Sequence, residues 1–438
     1  MEDNQKIIEN KILDLIDEYS KLKFRKEKFL PGQTEIPVTG KIIDKNEIQS
    51  ITLSALDGWL TTGRFNKEFE SKLSKFINIK SLITVNSGSS ANLLSFYSLT
   101  SDKLKDRAIK KNDEIITVAT SFPTTVNPII QFGAIPVFVD IKIPNYNINE
   151  DLIEAAVTKK TKAIFLAHTL GNPFNIDTIK KICEKYNLWL IEDCCDSLGS
   201  TYNNQHVGTF GDIATLSFYP AHHITTGEGG AVFTNNIRLK RIAESFRDWG
   251  RDCFCDPGKD NTCGKRFSWQ LGELPFGYDH KYSYSHCGFN LKITDMQAAC
   301  GLAQLKKLDF FISKRKENFN YLKNSLKNFQ EYLILPEATK NSDPSWFGFP
   351  ITIKSKKIIR RDLLIYLNEK KISHRLLFAG DLTKQPYMKN HPFIKKGNLE
   401  NTNTVMNDTF WLGVYPGINN EHIDYIVEMI KDFIKKIK

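Results

Sequence analysis

Between residues 80 and 235, short apolar runs alternate with amphipathic stretches, and this rhythm limits the fold more than any other feature of the chain. Residues 82–85, 114–119, 135–139, 163–167, 188–192, 215–219 and 231–234 read as strands. Residues 89–99, 126–132, 151–157 and 176–186 read as the helices between them. Strands that alternate with helices predict an α/β unit around a mostly parallel sheet.

The remaining chain is organised around this unit. A length of 438 residues exceeds one small core and fits two or three packed units. Residues 1–39 read as an N-terminal helical arm, with an apolar stripe from Ile7, Ile8, Ile12, Leu13, Leu15 and Ile16. Residues 40–300 form the large domain. Met296, Ala299, Leu302 and Leu305 repeat at helical spacing and predict one long helix over 294–327. It leads into a smaller α+β domain over 301–438, which closes with an amphipathic helix from His422. Residues 251–286 are different: rich in Cys, Gly, Asp, aromatic and basic residues, with little periodicity. They read as an ordered insertion held by something other than a core.

The formal net charge is +10, but the basic residues are scattered, many of them in Lys-rich helical stretches at 306–327 and 431–438. That distribution argues against nucleic-acid binding and suits an anionic nucleotide substrate. No signal-type segment and no run of 18 apolar residues occurs, so a cytoplasmic protein with no membrane span is expected. In a reducing compartment the eight cysteines point to free thiols or a metal site, not disulfides.

Several segments carry chemistry. Asn86-Ser87-Gly88-Ser89-Ser90-Ala91 follows a strand and opens a helix, where backbone N–H groups can cradle a phosphate; such turns also serve as plain caps. Ile191-Glu192-Asp193-Cys194-Cys195-Asp196 ends a strand. Ser121-Phe122-Pro123-Thr124-Thr125 leads into a helix, Gly288-Phe289-Asn290-Leu291 precedes another, and Ser217-Phe218-Tyr219-Pro220-Ala221-His222-His223 is followed by Gly227-Glu228-Gly229-Gly230.

In this order the segments resemble the DegT/DnrJ/EryC1/StrS sugar aminotransferases that use pyridoxal phosphate, over nearly the whole chain from about Gly40. The resemblance implies an aminotransferase fold of type I, with a mostly parallel sheet in the large domain and a smaller α+β C-terminal domain. It implies that Gly88, Ser89 and Ser217 contact the cofactor phosphate, that Phe122 stacks on the pyridine ring and that Asp193 binds the ring nitrogen. It also implies that Asn290 reaches the phosphate in a neighbouring subunit, making the protein at least a homodimer. The fifth residue after the serine is the Schiff-base lysine in that family; here it is His222. Lysine forms an imine with the cofactor aldehyde, whereas imidazole takes a proton. The change points to pyridoxamine phosphate held without a covalent bond, with His222 as base and His223 as the alternative base. Asp196 and Phe347 stand where such aminotransferases commonly carry His or another polar residue, and Tyr219 lies two residues after Ser217. All three are expected in the substrate pocket.

Cys195, Cys253, Cys255 and Cys263 are separated by 57, one and seven residues. By spacing alone they suit zinc, an iron–sulfur cluster or unligated thiols. Cys183, Cys287 and Cys300 read as buried hydrophobes. The same three spacings occur with the same histidine in the CDP-4-keto-6-deoxy-D-glucose 3-dehydrases of 3,6-dideoxyhexose and lipopolysaccharide synthesis, where the four thiols hold a [2Fe–2S] cluster. That resemblance implies removal of a C4′ proton by His222, loss of the C3 hydroxyl, and reduction through a separate NADH-dependent flavin and iron–sulfur reductase. Two alternatives remain open: a cluster-free GDP-4-keto-6-deoxymannose 3-dehydratase, and a non-catalytic regulator with structural zinc.

Overall fold

A computed structural model describes residues 2–25 and 28–437; Met1, Lys26, Glu27 and Lys438, at the ends of the predicted terminal helical stretches, lie outside the described residues. The centre is an eight-stranded sheet in the order Ser81–Val85, Gly230–Thr234, Ile213–Ser217, Trp189–Asp193, Thr161–Ala167, Glu114–Val118, Ile135–Val139, Ile394–Lys395. Gly230–Thr234 runs antiparallel to both neighbours, and every other pairing is parallel. Five of these strands are buried at every position, which explains their unbroken apolar runs: helices cover both faces of the sheet. The fold is thus the α/β, mostly parallel arrangement expected.

Local signals set the helices. Ser87 caps Gly88–Ser98, its Oγ accepting the Ser90 N–H at 3.0 Å. Pro123 occupies the first turn of Pro123–Phe132, where a missing N–H costs nothing, and Gly133 ends it in the left-handed region. One face of the sheet packs on Phe69, Leu73, Ile179 and Leu302, the other on Leu94, Phe96, Leu239 and Ile242.

The C-terminal part has its own core. A three-stranded antiparallel sheet, Leu333–Ile334, Gly348–Ile353 and Thr409–Gly413, packs Phe349, Ile351, Phe410 and Leu412 against Ile426 and Ile430 of the helix Asn420–Lys436. The helix Leu308–Leu326 joins both parts. Leu308 and Phe311 belong to the large core, Phe319 and Leu322 to the C-terminal one.

The single helix expected over 294–327 is two, Asp295–Leu305 and Leu308–Leu326. The first closes with a tight turn, Lys307 N–H to Gln304 O at 2.9 Å. The Lys307 ammonium is meanwhile held by Asp44 at 2.8 Å and Glu47 at 2.7 Å. Those carboxylates lie some 260 positions away in the chain, and neither Gly nor Pro marks the break.

Residues 251–286 hold little regular structure beyond the 3₁₀ turn His280–Tyr282. Gly250 and Gly288 close this loop backbone to backbone: a Cβ on Gly288 would stand 2.1 Å from the Gly250 nitrogen. Within it, Arg266 donates two hydrogen bonds to Asp279 at 2.9 and 2.7 Å. Cys183 and Cys300 are buried as expected, but Cys287 is exposed, because it lies in the extended segment beside this closure. No described helix is long and apolar enough to cross a membrane.

Candidate active site

Parallel strands release their chains on one edge of the sheet, and ligands of open α/β sheets bind at those carboxyl ends. Here the ends at Ala167, Asp193 and Ser217 open into a cavity of about 350 Å³. Gly88, Ser89, Phe122, Tyr219, Asp196, His222, Phe347 and Cys195 also line it. Ten of the fourteen residues singled out from the sequence therefore share one wall-to-wall site.

Gly88 and Ser89 lie in the first turn of their helix, where the helix supplies no acceptor for the N–H groups. A Cβ on Gly88 would sit 2.4 Å from the Ser217 Cβ, so only glycine brings this helix start so close to the strand end. Two hydroxyl side chains and a positive helix terminus then converge, which suits a dianionic phosphate.

Glu192 and Asp193 are adjacent on a strand and point to opposite faces. Asp193 faces the cavity. Its Oδ2 accepts from Asn92 Nδ2 at 2.8 Å and Thr125 Oγ1 at 2.7 Å, and its Oδ1 accepts the Cys195 N–H at 3.0 Å. A carboxylate fixed this firmly and 4 % exposed can hold a ring nitrogen in its protonated form. Glu192 is fully buried on the far side and accepts N–H groups from Gly208, Phe210 and Gly211 at 2.8, 3.0 and 2.5 Å. With His168 and Cys194 it forms the only trio of metal-capable donors within 4.8 Å of one another among the described residues. Its oxygens are already engaged by backbone, so this trio is structural.

His222 stands at the far wall. Its Nδ1 is 3.3 Å from the Asp196 carboxylate, close enough for attraction but not aligned as a hydrogen bond. The Phe347 ring lies 5.1 Å from the imidazole. Burial raises the Asp196 carboxyl above its ordinary pKa, while His222 opposes that shift. The backbone here is fixed by Arg315, which is 1 % exposed and donates to the carbonyls of Trp346, Phe347 and His222 at 3.2, 3.2 and 3.3 Å. Burial brings that guanidinium down to about 10. His223 points elsewhere: buried, outside the large cavity, with its Nε2 2.8 Å from the Ser345 carbonyl. Burial and then Arg315 push its pKa well below the ordinary value. Among the described residues no lysine lines the cavity.

Four of the fourteen residues are not in this cavity. Asn290 is exposed and bridges Asp248 at the base of the insertion. Cys253, Cys255 and Cys263 line a separate small cavity in the insertion, together with His280. Cys195 does not join them: its N–H is held on Asp193, and its Sγ stands 4.0 Å from Thr215 Oγ1. The structure also brings in residues that sequence reading missed. Asn92 and Thr125 orient Asp193, and Arg375 and Trp411 come from the C-terminal part. Asn92 lay within the recognised phosphate helix, one turn on; nothing local marked Arg375.

The profile of the DegT/DnrJ/EryC1/StrS aminotransferase family matches residues 41–431. The chain is 59 % identical over 427 residues to lipopolysaccharide biosynthesis protein RfbH of Salmonella typhimurium, covering 97 % of this chain and 98 % of that one. It is 49 % identical over 409 residues to dTDP-4-dehydro-2,6-dideoxy-D-glucose 3-dehydratase of Saccharopolyspora spinosa, covering 93 % and 88 %. The solved structure of E. coli GDP-4-keto-6-deoxy-D-mannose-3-dehydratase with bound hydrated PLP superposes with a TM-score of 0.81 at 33 % identity, covering 90 % and 98 %. The fold, the cavity at the strand ends and these matches agree: the chain belongs to the DegT/DnrJ/EryC1/StrS aminotransferase family.

Proposed function

We propose that this protein removes the C3 hydroxyl of CDP-4-keto-6-deoxy-D-glucose, the first half of a C3 deoxygenation, using pyridoxamine 5′-phosphate. The observation that carries this reading is His222, at the register of the family's lysine, in a cavity that no lysine lines among the described residues. Amino transfer through an enzyme-bound imine needs that lysine; proton removal needs only a base. The names of the relatives, two of them sugar-nucleotide 3-dehydratases, support a dehydration of this class.

The chain's own residues divide the work. Gly88, Ser89 and Ser217 bind the cofactor phosphate, Phe122 covers one face of the ring, and Asp193 keeps a proton on the ring nitrogen. The bound cofactor supplies an amine for the 4-keto carbon and an electron sink that lets the C3 hydroxyl depart. His222 takes the proton from C4′, and Asp196 steadies the resulting imidazolium. Tyr219 and Phe347 shape the sugar pocket, and the exposed Arg375 offers a guanidinium to the nucleotide diphosphate. Cys195, Cys253, Cys255 and Cys263 would hold a [2Fe–2S] cluster, which supplies one-electron transfer; the partner is a separate NADH-dependent flavin and iron–sulfur reductase. Asn290 extends to the cavity of a second copy in a homodimer.

The test is anaerobic purification with iron and sulfide analysis, then assay with CDP-4-keto-6-deoxy-D-glucose with and without a reductase. Two iron and two sulfide per chain, with C3 dehydration before any reductase is added, are expected. Stoichiometric zinc, a covalent imine to the cofactor, or nitrogen transfer to the sugar would overturn the reading. Glutamate-dependent turnover of the GDP-mannose analogue would favour the cluster-free alternative.

A further inference from the structure

Electrons for the second half of the deoxygenation come from outside the chain, so the surface beside the thiols decides which donor can approach. We propose that the cavity between the helix Ile237–Arg247 and the insertion is the docking site of the reductase, and that it receives a protein face rich in Asp and Glu side chains around a one-electron iron–sulfur donor. The inference rests on the reading above that a two-iron centre is held at the thiols. In each encounter one electron leaves the donor's reduced centre and reduces this one; no covalent bond forms or breaks.

Placement is the first argument. The cavity, of about 270 Å³, is lined by Lys103, Arg238, Arg241, Arg251, Phe254 and Trp269. Cys253 and His280 also line it, and the same two residues line the small cavity that holds Cys255 and Cys263. A partner seated here therefore touches the thiol wall itself, and electron transfer falls steeply with distance.

Charge is the second. The two carboxylates of the wall are already engaged, Asp252 with Lys103 at 2.6 Å and Glu244 with Lys240 at 2.6 Å. Among the described residues Arg238, Arg241 and Arg251 pair with no carboxylate, so three guanidinium groups are left unneutralised. The other approach to the thiols is balanced: Asp260 pairs with Lys281 and with Arg266 at 3.3 Å, and Arg266 with Asp279 at 2.7 Å. A positive field thus marks one side of the thiol site, and it steers an acidic partner there.

Surface make-up is the third. Arg238 and Arg241 stand three residues apart on the exposed face of their helix, while Leu239 and Ile242 bury the opposite face against the sheet. The Arg241 guanidinium lies 3.9 Å over the Phe254 ring, and that of Arg251 4.9 Å over Trp249. Phe254 and Trp249 are themselves exposed, as are Phe267, Phe276 and Tyr278 of the insertion. Exposed aromatic rings interleaved with arginine are the composition of protein interfaces, and a stacked guanidinium is preorganised to grip a carboxylate. A second copy of this chain would bring a net charge of +10 toward the same arginines, which disfavours self-association through this face.

The experiment uses full-length protein purified without oxygen and a plant-type [2Fe–2S] ferredoxin with an acidic surface as the probe. Association is followed by surface plasmon resonance at low salt and at about 0.15 M salt. Wild type should bind, less tightly at the higher salt. Arg238→Glu with Arg241→Glu should slow association roughly 10-fold or more at low salt, with iron and sulfide content and reductase-free dehydration at wild-type levels. Lys431→Glu with Lys435→Glu, the same charge change on the C-terminal helix, should leave association unchanged. No binding by wild type, no loss in the arginine pair, or equal loss in both pairs would overturn the inference. So would dissociation of a wild-type dimer by the arginine pair in sedimentation, which would assign the face to a second copy. Retardation of single-stranded RNA by wild type, lost in the arginine pair, would overturn it in favour of nucleic acid. Absence of iron and sulfide from wild type would instead defeat the cluster reading on which this one rests.

Discussion

His222 and His223 are neighbours in sequence with opposite fates, and the difference is one of environment. His223 is sealed against the Ser345 carbonyl, with its protonated form disfavoured by burial and by Arg315. His222 faces the cavity beside Asp196, with Nδ1 buried and without an aligned partner. His222→Asn should therefore lower exchange of the C4′ hydrogen with solvent on the order of 10²–10⁴-fold, with cofactor affinity near that of wild type. Deuterium incorporation read by mass spectrometry checks this, and unaltered exchange would remove His222 as the base. Cys253→Ala should leave dehydration intact and abolish reductase-coupled turnover, because the two steps use different centres.

The strand Trp189–Asp193 carries structural and chemical carboxylates on its two faces. Glu192→Ala would leave the buried Gly208 N–H and the half-buried Phe210 and Gly211 N–H groups without their acceptor, at about 1–3 kcal/mol for the buried one, and should lower the melting temperature. Asp193→Ala should instead weaken cofactor binding far more than it lowers stability. Thermal melts with and without pyridoxamine phosphate separate the two outcomes. At the neighbouring helix start, Gly88→Ala forces a methyl against Ser217 and should cost about 1–3 kcal/mol and most of the cofactor affinity. These elements were legible in the sequence because fully buried strands leave short apolar runs and helix starts leave Ser and Gly. The break at Lys306 and Lys307 was not, since it depends on Asp44 and Glu47 arriving from the other end of the domain.

At the scale of the molecule, the cavity is closed only when the C-terminal part lends Arg375, Phe347 and Trp411 to the strand ends. Arg375→Ala should raise KM for the nucleotide sugar about 10–100-fold with kcat little changed, as expected for one lost charge-assisted contact. Folding also leaves His223 well below 6.5 and His286 at about 4, both chiefly through burial. The unfolded chain then binds more protons than the folded one, so stability is full above pH 6.5 and falls as pH drops toward 4, by up to about 1.4 kcal/mol per pH unit for each group. Urea unfolding across that range should show the slope, and His286→Gln should reduce it. The sequence by itself determined the α/β rhythm, the phosphate turn, Asp193 and the substitution at His222, because each is a local pattern tied to a strand end. Only the tertiary structure decided which donors meet. Asn92, Arg375 and Arg315 reach the site across long stretches of chain, and Cys195 lines the cofactor cavity at a strand end while Cys253, Cys255 and Cys263 line a small cavity in the glycine-closed loop.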